Sequence, residues 1–105
     1  MNKVETVDEK IKHKLQELRE ATKNASKYTA RDVSERLESG ELKPMDIFDM
    51  AGAFETEILR YIEFRLLLAE KFPERFRVEE KKILQKERKT LQERIKAWKE
   101  RRFPD

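Results

Sequence analysis

Cysteine is absent from this 105-residue chain, which excludes disulfide bridges, thiol nucleophiles and zinc-thiolate sites and leaves the redox compartment open. The one histidine, His13, has no partner with which to form a metal site or a nucleophile-base pair. Its helical neighbours Lys10 and Glu17 put it on a solvated side. The two glycines, Gly40 and Gly52, belong to no phosphate-cradling loop. Neither GELKPM nor GAFETE has the required glycine spacing or the Lys-Ser/Thr pair that follows it. No run approaches the roughly 18 apolar residues that span a bilayer, and MNKVETVDEK carries no apolar signal segment. A soluble cytoplasmic protein is therefore expected. Strand-like alternation, internal repeats and low-complexity tracts are also missing.

What the chain has is charge. Charged residues make up 45% and hydrophobic residues 37%, against roughly 25% and 45–50% in ordinary globular domains. Most helix faces must therefore be solvated. At this size the chain forms one domain, residues 1–105, that buries about two-thirds of its unfolded surface around a modest core. Lys and Glu enrichment without cysteine also fits a heat-adapted, thermophilic source. The net charge of +3 is unevenly spread. Residues 1–31 carry eight basic and five acidic side chains, 32–70 carry four and ten, and 71–105 carry thirteen and seven. An acidic middle thus lies between basic ends, an arrangement suited to internal helix pairing, partner pairing or nucleic-acid contact.

Local signals divide the chain into about four helices. Thr6 and Glu9 form a capping box, and Val4, Val7, Ile11, Leu15, Leu18, Thr22 and Ala25 then fall on one narrow stripe, which predicts a helix over 6–26. Thr29 is an N-cap with Asp32 at its third position, Tyr28 and Val33 are spaced for a staple, and Gly40 supplies a left-handed stop, giving 30–39. Pro44 suits a first turn and Pro73 ends the next helix, giving 44–72. The last helix, 75–102, is basic and extends from the domain, with Leu84, Leu91, Ile95 and Trp98 as its stripe. The expected fold is all-α, an elongated helical bundle. A 28-residue third helix would span about 40 Å, whereas a compact chain of this size has a radius of gyration of about 13 Å. That mismatch points to completion of the core by self-association, with bundled or coiled-coil packing.

The third helix is apolar over more than half its circumference. Ile47, Met50, Ala51, Phe54, Ile58, Tyr61, Leu68, Ala69 and Phe72 lie within about 60° of Phe54 and are expected to form the core face. Phe48, Leu59, Ile62 and Leu66 make a second strip beside it. Arg65 interrupts the first face, and must either snorkel out along its stem or meet a carboxylate across a helix or subunit boundary. Ala51-Gly52-Ala53 forms a small patch that permits close helix contact. Asp46 and Asp49, three apart, are explained by the helix dipole rather than by a cation.

Two further features bear on nucleic acid. Lys82, Lys86, Lys89 and Lys96 share one side of the last helix, extended by Arg101 and Arg102, and could track a phosphate backbone. Glu93 and Glu100 interrupt that side at spacings that suit ion pairs with the lysines. In addition, DIFDMAGAFETEILRYI, residues 46–62, resembles the helix-turn-helix signature of DNA-binding repressors. Ala51 and Gly52 stand where a small pair closes the first helix, Ile58 stands where a branched residue anchors the reading helix, and Tyr61 or Ile62 could supply a later contact. The resemblance covers 17 residues and departs at Phe48 and Phe54, where the motif has a small and a polar residue. It would also bring Glu55 and Glu57 to phosphates.

The expected role is a non-enzymatic interaction protein, acting as an adaptor, assembly or regulatory subunit, with no cofactor, metal, membrane or small-molecule substrate. Its partner is a second copy of itself, a dimer being favoured, or another protein. Phe54, Ile58, Tyr61, Arg65, Leu84, Leu91, Ile95 and Trp98 are the expected interface. The alternative is a nucleic-acid-binding protein that uses the basic last helix or the 46–62 segment.

Overall fold

A computed structural model describes residues 4–101. Arg102 therefore lies outside the described residues. The chain is all-helical, with α1 over Val7–Ala25, α2 over Ala30–Ser39, α3 over Pro44–Lys71 and α4 over Val78–Arg101, and single 3-10 turns at Ser26–Tyr28 and Pro73–Arg75. Among the described residues there is no strand, and no helix is long and apolar enough to cross a membrane.

Side-chain capping chemistry sets most of these boundaries. Thr6 Oγ1 accepts from the Glu9 amide at 3.2 Å, while Glu9 closes back onto the Thr6 hydroxyl rather than onto the Thr6 amide. Thr29 Oγ1 accepts from the Asp32 amide at 3.1 Å. Gly40 takes φ 76°, and the Glu41 and Leu42 amides then return to the Arg36 carbonyl, so the residue closing α2 must tolerate left-handed backbone. Asp46 accepts from the Lys43 amide at 2.9 Å and pairs with Arg36 at 3.7 Å, which ties the end of α2 to the start of α3.

Only three of the four helices pack against one another along their lengths. α3 is central, with α1 and α4 antiparallel to it on two different sides, whereas α2 packs on the Ser26–Tyr28 turn as an arm. The expected four-helix bundle is corrected accordingly: α2 has ten residues and no buried side chain, too little apolar surface to join the core. The molecule is elongated, with a radius of gyration of 17.0 Å and extents of 51 × 34 × 24 Å.

The two seams differ in chemistry. Between α3 and α4 lies the apolar core of Leu59, Ile62, Leu84 and Leu91, with Leu66 and Ile95 packed against it. Between α1 and α3, Ala21 and Ala25 are buried, Val7, Ile11 and Leu18 of the α1 stripe are half-buried, and a set of ion pairs joins the two helices. Lys14 bridges Glu17 at 2.7 Å and Glu63 at 3.3 Å, and Arg60 reaches Glu63 at 2.8 Å and Glu17 at 3.6 Å. The hydrogen bond from Lys14 holds the Glu17 carboxyl below its usual range against an opposing effect of partial burial, with the charges of Lys14, Arg60 and His13 adding to the lowering. Lys71 pairs with Asp8 at the far end of the seam. Val4, which precedes α1, and Leu15, both expected on the α1 stripe, stay exposed, whereas Ile11 and Leu18 of the same stripe are half-buried.

α3 runs unbroken through Gly52, which is helical and has no positive φ. The helix-turn-helix expectation for 46–62 is therefore overturned, since that motif needs the chain to turn at the Ala-Gly pair. The close-contact role expected for Gly52 fails too: a Cβ built there meets nothing within 4 Å. Gly52 instead helps line a cavity of about 220 Å³ where α1, α3 and α4 converge, shared with Ala21, Phe48, Ile95 and Trp98. Because a mid-helix glycine costs roughly 0.5–1 kcal/mol relative to alanine, Gly52→Ala is expected to raise the melting temperature by a few degrees. Thermal unfolding followed by circular dichroism checks this, and a fall of similar size would mean that the helices close on this position in solution.

Candidate functional site

α3 presents three apolar or mixed sides to its surroundings but has only two long neighbours. One side, with Leu59 and Ile62, meets α4, and another, with Arg60 and Glu63, meets α1. The third is uncovered. It holds Ile47, Phe54, Ile58, Tyr61 and Phe72, which remain 40–53% exposed. These residues belong to the face expected from sequence to be the core, of which only Ala69, at the edge towards α4, is buried. The correction has a simple cause: the leucine stripe of α4 packs on the neighbouring strip, so Leu59 and Ile62 are buried in place of Phe54 and Ile58.

The uncovered face follows a strict repeat. Ile47, Ala51, Phe54, Ile58, Tyr61, Arg65, Leu68 and Phe72 succeed one another at alternating spacings of four and three residues. That is the a/d seam of a coiled coil carried through four heptads, with one charged member. The signal was present in the sequence and was read there only as a broad face. Tyr28 touches the seam from one side, its ring edge-on to Phe54 at 6.4 Å. On the other side an open groove of about 540 Å³ runs between the seam and α4, lined by Ile58, Ile62 and the exposed Ile83.

Arg65 lies half-buried in the seam with its guanidinium 6.0 Å from the Tyr61 ring centre. Among the described residues no carboxylate pairs with it. The snorkelling alternative thus describes its position within a single chain, the stem running along Tyr61. Glu57, also half-buried beside the seam, likewise has no cation within ion-pairing distance among the described residues.

The other expected interface residues divide. Leu84 and Leu91 are buried against α3 of the same chain and are unavailable to a partner, which corrects their assignment. Ile95 and Trp98 are half-buried and used internally, Trp98 resting on Phe48 at 5.6 Å between ring centres. Trp98 also brings in a residue whose role the sequence reading missed. Glu55, which the helix-turn-helix resemblance would bring to phosphates, is 8% exposed and accepts from Trp98 Nε1 at 2.9 Å while pairing with Arg94. Arg94 and Trp98 stand four apart on α4, so one turn of that helix closes on a single carboxylate. On the wheel of α3, Glu55 falls between Phe48, Leu59 and Ile62, and that position was the available signal.

On α4, Lys82, Lys86, Lys89 and Lys96 are exposed on the side away from the buried leucines. The ion pairs expected from Glu93 and Glu100 do not form, and none of the four lysines has a carboxylate partner among the described residues. Arg101 lies over the Trp98 ring at 5.8 Å instead of extending that side. His13 is exposed beside Glu5 at 2.8 Å. Among the described residues no group of acidic or histidine side chains could hold a metal ion. Comparisons with protein-family models, with curated proteins and with solved structures find no match for this chain.

Removing the Glu55 carboxylate strands the indole N–H of the only tryptophan. Glu55→Ala is expected to destabilise the fold by about 1–3 kcal/mol and to shift Trp98 fluorescence to the red as α4 loosens. Urea unfolding with fluorescence detection reads both, and an unchanged midpoint would show that the clasp contributes nothing.

Proposed function

We propose that this chain is a non-enzymatic helical interaction protein, an adaptor, assembly or regulatory subunit, that self-associates through the uncovered face of α3. The observation that carries the reading is the four-heptad seam, with Ile47, Phe54, Ile58, Tyr61 and Phe72 exposed, on a helix already covered on its other two sides. Aliphatic and aromatic side chains left in water at this spacing are what a partner helix covers in knobs-into-holes packing, burial being favourable by about 25 cal/mol per Å² of apolar surface. A thin core argues the same way: among the described residues no large side chain is fully buried. The interface on this reading is Ile47, Phe54, Ile58, Tyr61, Arg65 and Phe72.

A second reading, contact with nucleic acid through α4, is favoured by the four exposed lysines that lack carboxylate partners on one side of a 24-residue helix. Phosphates would replace the missing carboxylates and release counterions on binding.

Two experiments test these readings. Light scattering across a concentration series should give twice the chain mass, and Ile58→Asp should return it to the chain mass with its helical circular dichroism unchanged. A strict monomer at high concentration would end the self-association reading. For the second, a mobility shift on DNA or RNA at low salt should weaken steeply as salt rises and vanish when Lys82, Lys86, Lys89 and Lys96 are changed to Gln. Absence of any shift removes it.

A further inference from the structure

The seam also specifies how a second copy would lie, an inference that rests on the self-association reading and deepens it. We infer that two α3 helices pair antiparallel about a two-fold axis between Ile58 and Tyr61, with each Arg65 set against Phe54 and Glu57 of the other copy. Two observations carry this geometry.

The first is register. About an axis between Ile58 and Tyr61, Ile58 faces Tyr61 of the second copy, Phe54 faces Arg65, and Ala51 faces Leu68. Ile47 and Phe72 close the two ends, so every seam position of the 28-residue helix is matched. A slip of one heptad leaves two seam positions of each helix without a partner. The arrangement is isologous, as a two-fold contact requires.

The second is the charged seam residue. In parallel, in-register pairing Arg65 would face Arg65, two like charges at a desolvated contact. In the antiparallel pairing it meets an aromatic ring and, one turn along, Glu57. Within one chain both Arg65 and Glu57 are half-buried and have no opposite charge beside them among the described residues. Each therefore offers what the other lacks. A single charged side chain in an otherwise apolar seam is also the kind of feature that fixes register in coiled coils.

Charge exchange and cross-linking test the geometry separately from association itself. Arg65→Glu should raise the dimer dissociation constant at least about tenfold by facing Glu57 of the other copy, and adding Glu57→Lys should recover much of the loss. Because the chain has no cysteine, Ala51→Cys and Leu68→Cys variants, one of them mass-tagged, can be mixed and oxidised. The mixed 51–68 disulfide should dominate. A wild-type dimer that instead gives same-residue 51–51 and 68–68 products, or that is insensitive to Arg65→Glu, would overturn the antiparallel geometry while leaving self-association standing. A wild-type monomer would remove both.

Discussion

The structure depends on one constraint: α3 has apolar surface on more of its circumference than two neighbouring helices can cover. α1 and α4 are themselves largely solvated, as a chain with 45% charged residues requires, and each has a narrow stripe to offer. α4 uses its stripe to bury Leu59 and Ile62 with Leu84 and Leu91. α1 contributes small buried alanines and a charged lattice built on Lys14, Glu17, Arg60 and Glu63. The buried side chains larger than alanine, Leu59, Ile62, Leu84 and Leu91, all lie between α3 and α4, so the hydrophobic stabilisation of the fold is concentrated on the α4 side. Among the described residues no further long helix covers the third side, and α2, with no buried residue, does not supply it.

Glu55 shows how a thin core can still be specific. Leucines and isoleucines on two antiparallel helices tolerate some sliding and rotation, because branched aliphatic surfaces pack in several nearly equivalent ways. A buried carboxylate does not, because it must keep its partners or leave a desolvated charge behind. By accepting from Trp98 and pairing with Arg94, Glu55 sets the rotation of α4 about its axis. That rotation directs the leucines to α3 and the lysines 82, 86, 89 and 96 to solvent. The same contact draws Trp98 onto Phe48 and closes the end of the seam beside the cavity lined by Gly52.

Boundaries were legible in the sequence and faces were not. Thr6, Thr29, Gly40, Pro44 and Pro73 act through their own backbone neighbours, so their meaning survives without knowledge of the fold, and each sits at or beside a helix end. Allocating the faces of α3 is a different problem. Two adjacent apolar strips, one led by Phe54 and one by Leu59, were both plausible cores. Deciding between them required knowing that α4 would bring Arg94 and Trp98 to Glu55, a contact between residues 43 apart. A carboxylate in the middle of an apolar strip does not by itself say whether the strip is buried, and here Glu55 marks the strip that is. Gly52 misled for a related reason. Small residues in a helix permit close approach but do not compel it, and here the neighbours stand back.

The position of the lysines relative to the seam connects the two proposed readings. They lie opposite the leucine stripe of α4, and that stripe faces α3. A second copy seated on the open side of α3 would approach beside α4 at the groove that Lys86 helps line, leaving Lys82, Lys89 and Lys96 on the outer face. Pairing through α3 would draw acidic residues such as Glu57 into a contact while those three lysines of each copy stay outside. Association and phosphate contact therefore use largely separate surfaces that meet at Lys86. If both occur, the steep salt dependence belongs to α4, whereas the α3 seam, being mainly apolar, should hold with little loss as salt rises.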